Sequence, residues 1–113
     1  MKRRVLASEI EETAPVEALC RAFAALETAD DVRAFLHDLC TPAEIEAMAD
    51  RWRVVPLLLA GLAYREIHDQ TQVSVTTIGR VARSLAAGEG YRKAAKALGL
   101  PCARLHLSAT QSA

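Results

Sequence analysis

Apolar residues along the chain recur at intervals of three and four, the spacing that places side chains on one face of an α-helix. The alternation of polar and β-branched residues that marks half-buried strands is absent from the sequence. Turn-forming residues separate the apolar segments. The sequence therefore predicts an all-α domain over residues 15–99, with short connections between its helices.

Two amphipathic helices are predicted in the N-terminal part of the chain. The first begins near Pro15, since proline is tolerated in the first turn of a helix. The second begins after Thr28, which forms with Asp31 a capping box with a shortened acid. Apolar residues line one face of each helix, and this face is interpreted as core. They are Val16, Leu19, Cys20, Phe23, Leu26, Val32, Phe35, Leu36 and Leu39.

A third helix has the strongest start signal of the chain. Thr41 suits the N-cap, Pro42 the first helical position and Glu44 the position three residues after the cap. Pro56 removes a backbone hydrogen bond inside this helix, so we expect a kink in the turn before it, with a break as the alternative. The predicted inward face is Ile45, Met48, Trp52, Val55 and Leu59, and the predicted stop is Gly61.

Two short helices follow over residues 62–71 and 74–85, joined by Gln72 and Val73. Two helices connected by so short a turn have the geometry of a helix-turn-helix, whose second helix enters the major groove of DNA by its N-terminal end. Ser74 can cap the second helix. The residues of that helix expected to face the core are Ile78, Val81 and Leu85.

The opposite face of this second helix carries hydroxyl-bearing and basic residues. Small hydroxyls reach phosphates or bases, methyl groups contact thymine, and arginines one turn behind the tip reach phosphate or a base edge. Ala63 is a poor N-cap and Gln72 stands where glycine is frequent, so a helix pair with a merely solvated polar face stays open. The candidate DNA contacts are Ser74, Val75, Thr76, Thr77, Arg80 and Arg83, flanked by Arg65 and His68.

Composition and cysteine usage narrow the class of protein. The 113 residues are 51% hydrophobic, which suits one domain whose core is marginal alone and which a partner subunit could complete. Three cysteines without a C-x-x-C pair predict neither a disulfide framework nor a fourfold metal site, and they indicate a reduced, cytoplasmic compartment. The longest apolar stretch, residues 54–63, is too short to cross a bilayer.

The net charge of zero conceals two oppositely charged halves. Residues 1–50 hold five basic and eleven acidic residues, net −6, and residues 51–113 hold nine and three, net +6. This split indicates either a half that faces a polyanion or two halves that attract one another. A last predicted helix, YRKAAKAL, would turn Tyr91, Ala95 and Leu98 inward and Arg92, Lys93 and Lys96 outward.

Catalysis has little support in the sequence. His37 lies among acidic neighbours, and the cysteines lack a histidine at an informative spacing, so no acid, base and nucleophile come together. We therefore do not expect an enzyme. The main alternative to DNA binding is a helical module that binds another protein.

The ordered set of motifs resembles the Trp repressor-like superfamily, most closely its YerC/YecD family of bacterial regulators. The matching segments are LCTPAEIEAMADRWRVV, LLLAGLAYREI, TTIGRVARSL and GEGYRKAAKAL. The resemblance implies a six-helix protomer interlocked with a second copy, and hence a dimeric transcriptional regulator, a repressor, on palindromic operator DNA. As chain ends, residues 1–14 are predicted to form a mobile arm and residues 100–113 a flexible tail. The DNA contacts carried over by position are Arg65, His68, Ser74, Val75, Thr76, Thr77 and Arg80.

His68 stands where the Trp repressor has a lysine, so the resemblance implies a phosphate contact that is weaker or dependent on pH. Considered without the resemblance, His68 is a solvated surface residue.

The resemblance also raises the question of a small-molecule corepressor. Where the family binds tryptophan, two arginines sandwich the indole, and a threonine and a serine assist. The matching positions are Thr41, Arg51, Arg80 and Ser84. Val81 replaces a glycine beside the indole, and the added volume is expected to weaken tryptophan binding about tenfold to a hundredfold. The expectation is therefore no corepressor or a different small molecule, and Thr41 would then only cap while Arg51 pairs with an acid such as Asp50.

Overall fold

The computed structural model describes residues 8–101, and their side chains from residue 14 onward. Within that range the chain forms six α-helices and no strand, which confirms the all-α prediction. The predicted arm residues 1–7 and tail residues 102–113, with Cys102, lie outside the described residues. The helices are α1 (Ser8–Ala25), α2 (Ala29–Leu39), α3 (Pro42–Leu59), α4 (Tyr64–Thr71), α5 (Val75–Ala87) and α6 (Gly90–Ala97).

The chain divides into two compact units, an N-terminal unit that ends at Pro42 and a C-terminal unit that begins at Ala43. None of the described helices is long and apolar enough to cross a membrane.

The N-terminal unit consists of α1 and α2. Because α1 begins at Ser8, Pro15 lies inside the helix, and the prediction that it occupies the first turn is wrong. At the start of α2 the hydroxyl of Thr28 accepts a hydrogen bond of 3.1 Å from the backbone N–H of Asp31, as predicted for a cap. The rings of Phe23 and Phe35 meet edge to face with centroids 5.0 Å apart, which joins the two helices.

The apolar face of this unit is left partly exposed within the part of the chain that the structure describes. No residue from 14 to 42 is fully buried, and Val16, Leu19 and Leu39 are 60%, 37% and 46% exposed. The prediction that these residues form a core is therefore wrong for the single chain. Two helices bury only the strip along which they touch, and the apolar face here is wider than that strip.

The C-terminal unit contains the hydrophobic core of the chain. Ile78, Val81 and Leu85 of α5 are at most 1% exposed, which confirms their predicted inward orientation. The inward face of α3 is half-buried at its start and fully buried toward its C-terminal end, and α3 continues past Pro56 without a break. The buried hydrophobic residues are Val54, Val55, Leu58, Leu59, Ile67, Val73, Ile78, Val81, Ala82, Leu85 and Ala95.

Two glycines in the left-handed conformation end helices of this unit. Gly61, with φ of 90°, ends α3 as predicted, and the N–H of Leu62 reaches back to the carbonyl of Leu57. Gly99, with φ of 72°, does the same after α6. The reversal at Gly99 brings Leu100 onto the core and leaves Leu98 65% exposed, so the prediction that Leu98 faces inward is wrong.

The start of α4 has half of a capping box. The carboxylate of Glu66 accepts a hydrogen bond of 3.2 Å from the backbone N–H of Ala63, but alanine has no oxygen with which to cap in return. We expect Ala63→Ser to raise the free energy of unfolding by about 1 kcal/mol, measured by urea denaturation. Ala94→Ser, at an exposed position inside α6, is the control, and this substitution should not stabilise the protein. An Ala63→Ser variant no more stable than its parent would contradict the expectation.

Candidate nucleic-acid interface

A short turn between α4 and α5 determines how α5 is presented. Gln72 occupies this turn in the left-handed conformation, with φ of 66°, which residues other than glycine rarely adopt. Its backbone N–H donates to the carbonyl of His68 at 2.7 Å, and its side-chain amide donates to the carbonyl of Asp69 at 3.1 Å. Gln72 therefore occupies a turn position where glycine is frequent, and these two hydrogen bonds stabilise its left-handed conformation.

Two further side chains of α4 bind the same turn. The hydroxyl of Thr71 donates to the carbonyl of Ile67 at 2.7 Å and accepts from the N–H of Val73 at 3.0 Å. His68 Nδ1 lies 2.8 Å from the carbonyl oxygen of Val73. Because a carbonyl oxygen only accepts, Nδ1 must carry the hydrogen. The half-buried His68 ring thus braces the turn, and the interpretation of it as a solvated surface residue is wrong.

The cap of α5 is formed as the sequence predicts. The hydroxyl oxygen of Ser74 accepts a hydrogen bond of 3.1 Å from the N–H of Thr77, and the two hydroxyl groups lie 3.1 Å apart. Val75 beside this cap is 52% exposed, Thr76 is exposed and Thr77 is half-buried. The N-terminal end of α5 therefore presents an uncovered methyl-bearing and hydroxyl-bearing tip.

One face of α5 remains open along most of its length. Thr76, Arg80 and Arg83 follow one another at intervals of four and three, and all three are exposed. Arg65 in the first turn of α4 is exposed as well. Within residues 14–101 no acidic side chain lies within ion-pair distance of these three arginines, whereas Arg21, Arg33 and Arg53 each pair with a carboxylate. The charges along α5 are therefore available to an anionic partner.

Arg92 at the start of α6 has a role that the sequence did not reveal. Its Nε donates to the carbonyl of Leu85 at 2.8 Å, and its Nη2 donates to the carbonyl of Ala86. A cation there satisfies carbonyls in the last turn of α5, where the helix dipole also favours positive charge. Arg92 is exposed, as predicted for the outward face of α6, but its guanidinium is engaged by these two carbonyls. Lys93 pairs with Glu89 at 3.5 Å, and Lys96 is exposed.

Of the four candidate effector residues, Arg51 lines a cavity of the C-terminal unit. This cavity of about 250 Å³ lies beside the start of α5, and its lining residues are Ala47, Asp50, Arg51, Gln72, Val73, Ser74 and Thr77. Arg51 is thus the one candidate on its wall, because Arg80 and Ser84 lie on the exposed face of α5 and Thr41 belongs to the N-terminal unit. Asp50 pairs with Arg53 at 3.6 Å.

The described residues offer no other obvious chemistry. No group of His, Cys, Asp and Glu side chains among them could hold a metal ion. Cys20 is exposed and Cys40 half-buried, and both are free thiols.

Comparisons with known proteins find similarity along most of the chain. The family model described as Trp repressor protein matches residues 14–98. The uncharacterized protein YerC of Bacillus subtilis (strain 168) is 34% identical over 70 residues, which span 62% of this chain and 67% of that relative.

Two crystal structures share the fold. A TrpR-like protein from Eubacterium eligens ATCC 27750 is 35% identical with a TM-score of 0.72, and the match covers 78% of this chain and 92% of that one. A protein from Staphylococcus aureus, provisionally described as a Trp repressor, is 30% identical with a TM-score of 0.74, and the match covers 82% of this chain and 96% of that one.

Proposed function

The chain belongs to the Trp repressor protein family, and from this premise we propose that it is a transcriptional repressor that binds specific DNA sequences through α4 and α5. The observation that carries the proposal is the open face of α5, on which the exposed Thr76 and Arg80 stand free of any acidic partner within the described residues. A helix with its first turns uncovered and its opposite side packed in the core suits insertion into a major groove.

Each side chain of the interface has a role that follows from its position. Val75 and Thr76 at the tip of α5 supply methyl and hydroxyl groups for base edges, and Arg80 behind them supplies a fork of donors for guanine or phosphate. Arg65 binds the phosphate backbone from α4, and Ser74 and Thr77 keep the cap intact.

His68 contributes to the interface through its second ring nitrogen. Its Nδ1 is engaged by the Val73 carbonyl, so only Nε2 can meet a phosphate.

We propose further that the functional form is a homodimer. The N-terminal unit exposes an apolar face that contains Val16, Leu19 and Leu39. Exposed apolar faces of this kind mark interfaces, and a second copy can bury this one against its own identical face in a twofold arrangement. A twofold dimer presents two copies of α5 to half-sites about one duplex turn apart, so the operator is a palindrome.

A charge placed on this face tests the dimer. Leu19→Glu should yield monomers at concentrations at which the parent is dimeric, because burying an unpaired carboxylate is strongly unfavourable. Sedimentation velocity measures the mass. Ala18→Glu adds the same charge at an exposed position of α1 outside the apolar face and should leave the dimer intact. A Leu19→Glu variant with the parent's mass would exclude this face from the interface.

Selection of bound duplexes from a random pool tests the function and supplies the operator. We expect a palindromic consensus whose enrichment does not change when tryptophan is added. Val81 is 1% exposed and packed in the core, so its side chain cannot move aside to make room for an indole. Binding to the consensus should weaken steeply as salt rises, since phosphate contacts release counterions. If no duplex sequence were enriched, and if the protein bound duplexes weakly and independently of salt, the result would instead favour the alternative of a protein-binding module.

A further inference from the structure

Gly79 in the middle of α5 has no side chain, and an arginine lies across it. A β carbon placed on Gly79 would stand 3.6 Å from Nη1 of Arg83 and 3.8 Å from Cε2 of Tyr64. Side chains of a helix lean toward its N-terminus and cover the turn before their own. Gly79, four residues before Arg83, therefore leaves the space into which the Arg83 guanidinium extends.

The fold itself does not require glycine at this position. Both distances from the added β carbon are ordinary van der Waals contacts, and Gly79 does not have a positive φ. Alanine would fit, and it would stabilise a helix better than glycine does. A longer side chain would compete with the Arg83 guanidinium for the same space. The position therefore requires a small residue, so that the Arg83 guanidinium can lie over it.

The location of this guanidinium favours phosphate over a base as its target. It lies level with Gly79, on the side of α5 that faces Tyr64 at the start of α4. In a helix-turn-helix the first helix crosses the phosphate backbone, and the neighbouring Arg65 is exposed there. Arg80 lies nearer the centre of the exposed face, where base edges are reached.

We propose that Arg83 binds a DNA phosphate and that Gly79 is its positioning residue, an inference that rests on the proposed function. The exposed arginine has no acidic partner among residues 14–101, so its charge is free for an anionic oxygen. The contact fixes the position of α5 on the duplex without reading its sequence.

The full-length protein and its selected operator duplex test this assignment by fluorescence anisotropy across a salt series. Arg83→Ala should weaken binding about tenfold, equally on the operator and on a scrambled duplex, and should lower the salt slope by about one for each phosphate interaction removed. Gly79→Gln should reproduce this weakening, and Gly79→Ala is the matched control that should bind as the parent does. Adding Gly79→Gln to Arg83→Ala should have no further effect, since both changes remove the same interaction.

Three results would overturn the assignment. In the first, Arg83→Ala binds as the parent does at every salt concentration. In the second, it relaxes the preference at one base pair with an unchanged salt slope, which is the behaviour of a residue that reads a base. In the third, Gly79→Gln weakens binding as much in the Arg83→Ala background as in the parent, so that it acts without the arginine.

Two further measurements separate removal of the phosphate interaction from damage to the fold. Melting curves report whether each variant is folded, and Arg83→Gln keeps most of the side-chain length while removing the charge. A folded Arg83→Gln variant should bind as weakly as Arg83→Ala, and parental affinity of this variant would contradict the assignment. A parent that binds no duplex overturns the proposed function, and the phosphate contact with it.

Discussion

Arg80→Ala is expected to reduce the affinity for the selected operator about thirtyfold or more, because each subunit of the proposed dimer gives up one interaction of about 1–3 kcal/mol. Arg80 is exposed one turn behind the tip of α5, and no acidic side chain within residues 14–101 competes for its guanidinium. Its removal takes no side chain from the core, so the melting temperature and the dimer mass should stay unchanged. Anisotropy titration on operator and scrambled duplexes measures the change in affinity.

Arg53→Ala is the matched control for this change. It removes one positive charge from an exposed helix position of the same unit, but Arg53 already pairs with Asp50 on α3. An exposed ion pair of this kind contributes little to stability, so the variant should fold normally and bind DNA nearly as the parent does. If Arg80→Ala and Arg53→Ala bound DNA with equal affinity, the effect would be one of general charge, and the assignment of Arg80 to the interface would be wrong.

The second large effect is expected on the opposite side of the same helix. Ile78 is fully buried, and Ile78→Ala should lower the free energy of unfolding by about 2–5 kcal/mol through reduced burial and an unfilled cavity. Urea denaturation at one fixed protein concentration measures it, because a dimer gains stability with concentration. Thr76→Ala is the contrast: it lies on the exposed face of α5, so stability should change by less than about 0.5 kcal/mol. An unfolding free energy of Ile78→Ala equal to the parent's would contradict the packing of α5 described above.

The features of the fold that the sequence predicts are those encoded within a few residues. The caps at Thr28 and Ser74 and the stop at Gly61 depend on local hydrogen bonds and backbone conformation, and all three are observed. The inward residues of α5 follow from helical periodicity alone. These local signals place the tip of α5 and its exposed face before any tertiary structure is known.

The features that the sequence misses depend on contacts between distant residues or between molecules. The bonds from Arg92 to the end of α5 require the reversal of the chain into α6, and the bond from His68 to Val73 requires a particular ring orientation. The apolar face containing Val16 and Leu19 shows a third limit, because periodicity identifies an apolar face without specifying which molecule covers it. Pro15 inside α1 belongs here too, since proline marks a helix start only on average.

The hydrogen-bonded turn between α4 and α5 also bears on the entropy of complex formation. Gln72, Thr71 and His68 already hydrogen-bond the connecting backbone in the free chain. Ordering a loop at the moment of docking would weaken association by about 1–2 kcal/mol for every residue immobilised. A pre-organised joint avoids that penalty, so the helix pair can engage a target as one stiff body, with little configurational search after first encounter.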